Sequence, residues 1–174
     1  MEQRGAVIVV DDDTMLLEVL RSGLLQEGYF SETAANGASA LELISKTPFE
    51  IMITDIDLPG MNGLELTRKA KRLNPDMAVI VATGFIEEFS YDDAIEAGAS
   101  DFIKKPFSLR ELIAKMNQIK IQGELRNREK ELKKKVKELE EFYDMAVGRE
   151  LRMKELKEEI EELREELKKY KKSQ

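Results

Sequence analysis

The residues of this chain that could do chemistry stand at the ends of short apolar runs. Asp11, Asp12 and Asp13 follow AVIVV, Asp55 follows IMIT, Thr83 follows AVIVA, and Lys105 follows DFIK. Carboxylates, a hydroxyl and an ammonium could together hold a small cation and a phosphoryl group, provided that the fold brings them to one place. The runs themselves say how that happens. They are short, rich in Val and Ile, and separated by helix-length segments, which is the pattern of βα units around a buried parallel sheet. In open sheets of this kind, ligands bind beyond the carboxyl ends of the strands. All four landmarks occupy such ends.

Strands are predicted near Ala6 to Val10, Phe30 to Ala34, Ile51 to Thr54, Met77 to Ala82 and Ser100 to Lys104. Helical spacing of apolar residues recurs between them. One stripe is Leu16, Leu17, Leu20 and Leu24 after Thr14; another is Leu64, Leu66, Ala70 and Leu73 after Asn62 and Gly63. Ser108-Leu109-Arg110-Glu111 has the form of a capping box and opens the last helix.

Four motifs occur in order at compatible separations: VIVVDDD, TDIDLPGMNGLEL, VATG and FIKKPFSLREL. On these, the first 121 residues resemble the receiver domain of bacterial two-component response regulators. The resemblance implies an α/β fold, a flavodoxin-like doubly wound sheet of five parallel strands in the order 2-1-3-4-5, here followed by a long α-helical coiled coil over residues 122–174.

The resemblance also assigns roles. Asp55 is the expected phospho-acceptor, a carboxylate nucleophile taking a phosphoryl group from the phosphohistidine of a cognate histidine kinase. Such an attack meets charge repulsion unless a divalent cation bridges the oxygens. Mg²⁺ suits the task because it takes hard oxygen ligands and needs only one or two protein carboxylates. The implied ligands are Asp11, Asp12, Asp55 and the backbone carbonyl of Asp57. Asp13 has a different role in view, opening the first helix near its positive end.

Lys105 is expected to reach the phosphoryl oxygens, with Pro106 keeping it out of helical conformation; in many relatives this Lys-Pro bond is cis. Thr83 offers a hydroxyl to the phosphate and, with Phe102, forms the expected switch. Phe102 lacks the hydroxyl of the Tyr found in some relatives, so packing must drive any ring rotation. On this reading the chain is no ordinary enzyme: it phosphorylates itself and slowly loses its own phosphoryl group. Asp55-Ile56-Asp57 also resembles the opening motif of haloacid-dehalogenase-type phosphatases. Those place the motif on the first strand, however, whereas here Asp11 and Asp12 precede it.

From about Ile119 the composition changes. The tail has no Pro, and its 17 Lys and Arg against 15 Asp and Glu leave about −9 of the net −7 to the residues before it. Glu, Lys, Leu and Arg dominate, as in long coiled-coil helices. Leu125, Leu132, Leu139 and Ala146 fit heptad d positions with Glu129, Val136 and Tyr143 at a. Farther on, Met153, Ile160 and Leu167 fit a, with Leu156, Leu163 and Tyr170 at d. This choice of residues leans toward a parallel two-stranded coil, hence a homodimer.

The two registers disagree by a stammer between Tyr143 and Arg149, with Gly148 inside it and Arg149 at a core position. The stretch from Ala146 to Leu167 resembles a helical linker motif that recurs in bacterial signalling proteins. It is either a connector passing register change between domains or a plain dimerising coil.

Composition excludes several functions. Without Cys or His there is neither a disulfide framework nor a phosphohistidine acceptor in the chain. No apolar stretch reaches membrane-span length, so a cytoplasmic protein is expected. The acidic receiver and the Lys133 to Lys137 cluster, alternating with Glu, argue against direct nucleic-acid binding. Two alternatives stay open beside the leading one: a constitutive coiled-coil scaffold with the receiver as a docking module, or a fragment of a longer regulator whose output domain lies elsewhere.

Overall fold

A computed structural model describes residues 4–84 and 91–172; the side chains of residues 91, 166, 167 and 169–172 lie outside the described residues, and the expected core positions Leu167 and Tyr170 with them. Elements alternate regularly: β1 (Ala6–Val10), α1 (Thr14–Gln26), β2 (Phe30–Ala34), α2 (Gly37–Lys46), β3 (Ile51–Asp55), α3 (Gly63–Leu73), β4 (Ala78–Thr83), α4 (Tyr91–Glu96), β5 (Asp101–Lys104) and α5 (Leu109–Lys172). Among the described residues the strands form a five-stranded sheet, ordered β2-β1-β3-β4-β5, with every pairing parallel. This is the expected doubly wound arrangement. β3 and β5 differ from the sequence reading by one residue at one end and β4 by one residue at each end, the usual looseness of strand boundaries.

The apolar runs are continuous because both faces of the sheet are covered. Alternate residues point to opposite sides. Ile8, Val10, Met52, Val79 and Val81 pack with α2 and α3. Val7, Val9, Ile53, Ile80 and Ile103 pack with Leu17, Leu20 and Leu24 of α1 and with Leu112 and Met116 of α5. One stripe needs correcting. Leu64, Leu66 and Ala70 are buried as expected, but Leu73, the last residue of α3, is 56% exposed. Thr67 lies in the buried face instead, and its hydroxyl donates to the Gly63 carbonyl at 2.7 Å, which removes the penalty of burying it.

Helix starts follow local chemistry. The Asp13 carboxylate accepts from the N–H groups of Met15 and Leu16, so Asp13 caps α1, while Asn36 and Asn62 cap α2 and α3 in the same way. At α5, Glu111 N–H donates to Ser108 Oγ at 3.2 Å, the Ser108 half of the capping box.

The chain divides into two compact units, Met1–Gln122 and Gly123–Gln174. Within the second, α5 is unbroken through Gly123 and Gly148. Among its described residues the large apolar side chains face solvent: Leu125, Leu132, Val136, Leu139, Tyr143, Met153, Leu156, Ile160 and Leu163 lie between 46% and 73% exposed. Its own stabilising contacts are surface ion pairs such as Glu129–Lys133 and Glu131–Lys135, each worth only a few tenths of a kcal/mol (about 0.3–0.5). No helix among the described residues is long and apolar enough to cross a membrane.

Candidate functional site

Strand register brings the landmarks together. Val10 lies opposite Thr54, Asp55 opposite Ala82, Ala82 opposite Ile103, and Thr83 opposite Lys104. The residues at or just past these positions therefore share one sheet edge. Backbone bonds extend the ladder: Asp11 N–H donates to Ala34 O at 3.2 Å, Ile56 N–H to Ala82 O at 3.1 Å, and Lys105 N–H to Thr83 O at 2.8 Å.

Lys105 closes the site. Its Nζ donates to Asp11 Oδ2 at 2.6 Å and to Asp55 Oδ2 at 2.5 Å. Burial alone draws the pKa of Lys105 down, but hydrogen bonds and charge from Asp11 and Asp55 outweigh it and hold the pKa above the ordinary lysine value. The group is an ammonium at any physiological pH. The Lys105–Pro106 peptide bond is cis.

The other carboxylate oxygens are tied to backbone. Asp11 Oδ1 accepts from Asp13 N–H at 3.0 Å, and Asp55 Oδ1 accepts from Asp57 N–H at 3.3 Å. Both are Asx turns, formed where a strand ends in Asp-x-Asp. They use the carboxylate to orient the very loop that follows it. Asp57 is thereby kept beside Asp55, with its own side chain exposed.

Asp12 completes the cluster from the solvent side. Asp11, Asp12 and Asp55 each offer a carboxylate oxygen, and these all lie within 4.8 Å of one another. Mg²⁺ binds oxygens at roughly 2.0–2.1 Å, so ligands across an octahedron stand about 4 Å apart. The three oxygens stand close enough to converge on such an ion. Charge fits as well: three carboxylates less the Lys105 ammonium leave an excess that one divalent cation matches.

Thr83 is buried at the end of β4, and its own carbonyl accepts the Lys105 N–H. Phe102 is half-buried on β5, and here the structure adds a residue that sequence reading missed. Lys115 of α5 places Nζ 5.6 Å from the Phe102 ring centroid and pairs with Asp101 Oδ2 at 2.8 Å. A cation over its face is an electrostatic tie on the ring in addition to packing. Only the spacing of Lys115 one turn from Leu112 hinted that it faces the sheet.

Residues 7–117 match the family model of the response regulator receiver domain. The chain belongs to that family. Its receiver is 41% identical over 113 residues to the DNA-binding transcriptional regulator NtrC of Escherichia coli (strain K12), an alignment covering 64% of this chain and 24% of that protein. It is 36% identical over 110 residues to the response regulator MprA of Mycobacterium sp. (strain KMS), covering 63% and 48%. The chain thus spans at most about half the length of these relatives.

Among solved structures it resembles a CheY-like receiver domain protein from Methanospirillum hungatei JF-1, with TM-score 0.65 and 34% identity over 70% of this chain and 98% of that one. Receiver domains are phospho-acceptors rather than ordinary enzymes; they bind Mg²⁺ at an acidic cluster of this kind and interact with histidine kinases.

The receiver's acidic cluster makes a thermal prediction. Saturating Mg²⁺ raises the unfolding midpoint, by an amount equivalent to about 2.7 kcal/mol when the ion stands at a hundred times its dissociation constant. Asp12→Asn without metal is at least as stable as wild type, because one repelling charge is gone, and gains less from Mg²⁺. Calorimetry with and without chelator checks this; an equal Mg²⁺ shift in both proteins would place the ion elsewhere.

Proposed function

We propose that the chain is a response regulator in which Asp55 accepts a phosphoryl group from a histidine kinase and the helix of the second unit carries the output as a parallel homodimer. The observation that carries the first half is the single ammonium of Lys105 held between Asp11 and Asp55, with Asp12 beside them.

In the proposed reaction Asp55 Oδ attacks phosphorus, the P–N bond of the phosphohistidine breaks, and the electron pair returns to the imidazole, which takes up a proton. Asp11, Asp12, Asp55 and the Asp57 carbonyl would hold Mg²⁺, which supplies neutralisation of charge on the transferred oxygens. Lys105 shifts from its carboxylates toward the phosphoryl oxygens, and Thr83 donates its hydroxyl to another. Both sit at strand ends and need move only as side chains. Drawing Thr83 inward vacates room for Phe102, whose ring Lys115 couples to α5.

The second half rests on burial. A helix with this much exposed apolar stripe and only surface ion pairs has little to stabilise it alone. Leu at d with Ile and Met at a favours two parallel strands. Acidic and basic groups interspersed along the unit suit pairing with a second copy better than binding to nucleic acid.

Two measurements test the two halves. Incubation with acetyl phosphate and Mg²⁺ should add one phosphoryl group to the wild type by intact mass and none to Asp55→Asn. An unmodified wild type would leave the chain a scaffold with a docking receiver. Separately, Leu156→Lys with Leu163→Lys should sediment as a monomer whose receiver still unfolds cooperatively, since each lysine would be buried against its symmetry mate. A persisting dimer would move the contact to the receiver.

A further inference from the structure

The peptide that follows Asp55 is gripped by two residues to which the phosphoryl chemistry gives no task. A methyl group on Gly63 would stand 2.0 Å from the Asp55 carbonyl oxygen, 2.8 Å from the carbonyl carbon and 3.0 Å from Ile56 Cα. All three are backbone atoms, so no side-chain rotation can relieve the clash. Gly23 offers a contrast: the three atoms nearest its added methyl all belong to the Leu109 side chain, which can turn away. Gly60, at φ +82°, serves a turn and has open space around it. Among the described glycines, Gly63 is the one whose missing side chain lets a helix start lie directly on the acceptor strand.

Bonds hold Gly63 there from both directions. Its N–H donates to Ile56 O at 2.8 Å, and its carbonyl accepts the Thr67 hydroxyl at 2.7 Å. The Asp55 carbonyl is engaged from another side by Thr54, a fully buried residue whose hydroxyl donates to it at 3.0 Å. Ile56 N–H is fixed on β4 through Ala82 O. The peptide between Asp55 and Ile56 is therefore immobilised at its oxygen, its nitrogen and its flank.

We propose that Thr54 and Gly63 are positioning residues that clamp the Asp55 carbonyl and so aim the Asp55 carboxylate at Lys105 and Asp11. The proposal rests on Asp55 being the acceptor. Its physical content is leverage: the carboxylate hangs from the same Cα as the clamped carbonyl. A methyl on Gly63 must gain about 1 Å from backbone, and a misplacement of that size costs up to about a hundredfold in a positioned reaction.

The test follows phosphorylation of the full chain by acetyl phosphate with Mg²⁺, reading the maximal rate and the half-saturating donor concentration of folded protein. Gly63→Ala should lower the maximal rate by about ten- to a hundredfold with the half-saturating concentration little changed. Thr54→Val should lower it by less, and Thr54→Ser, which keeps the hydroxyl, should recover most of the loss. Ala70→Gly destabilises α3 at a buried position away from Asp55 and should keep the wild-type rate.

Wild-type rates in Gly63→Ala and Thr54→Val, with wild type itself modified at Asp55, would overturn the clamp and leave the acceptor standing. If Gly63→Ala does not fold, an unchanged rate in Thr54→Val overturns it alone. An equal slowing in Ala70→Gly would reduce both residues to general stability. A wild type unmodified at Asp55 would remove the acceptor and the clamp together.

Discussion

Three carboxylates cannot share one sheet edge at low cost unless a positive charge is built in beside them, and Lys105 is that charge. Like charges about 4 Å apart near a protein surface repel by an amount on the order of 4 kcal/mol. The ammonium between Asp11 and Asp55 offsets part of this and leaves the rest as an attraction for a divalent cation. The same residue is a structural brace between two strands and, in the proposed reaction, the cation that would turn to the phosphoryl oxygens. Folding and chemistry draw on one balance of charge.

The sheet supplies the accuracy that this balance requires. Parallel register sets Asp55 against Ala82 and Thr83 against Lys104, so four strand ends present their groups with little freedom left to any loop. Both faces of the sheet are packed with aliphatic side chains, which keeps the strands from sliding. Asx turns at Asp11 and Asp55 then fold each following loop back onto its own carboxylate. The second unit follows a different logic: among its described residues the large apolar side chains face solvent, the feature on which the proposed homodimer rests.

Much of this was legible before any coordinates. Val and Ile runs ending in Asp, Thr and Lys gave away the strands, their parallel sheet and the edge where they meet, because a buried strand needs continuous hydrophobicity and a functional end interrupts it; the strand order came from the family resemblance alone. What stayed hidden depends on contacts across the chain. Leu73 and Thr67 exchanged roles, since spacing alone does not show that a hydroxyl can bond back to the previous turn. Lys115 over Phe102 joins α5 to β5, and Gly63 against Asp55 is a close approach of backbone to backbone that leaves no room for a Cβ. A glycine in a turn-like stretch reads the same whether it serves a turn or a close approach.

The central claim is that Asp11, Asp12, Asp55 and Lys105 form one cation-holding cluster at the carboxyl edge of the sheet. Its most direct measurement is paramagnetic broadening of backbone amide signals as Mn²⁺ is titrated in place of Mg²⁺. Signals from residues 11–13, 55–57 and 105 should broaden first and together, and excess Mg²⁺ should restore them. Broadening that instead begins along the glutamate-rich second unit, or that splits residues 11–13 from 55–57, would contradict the account.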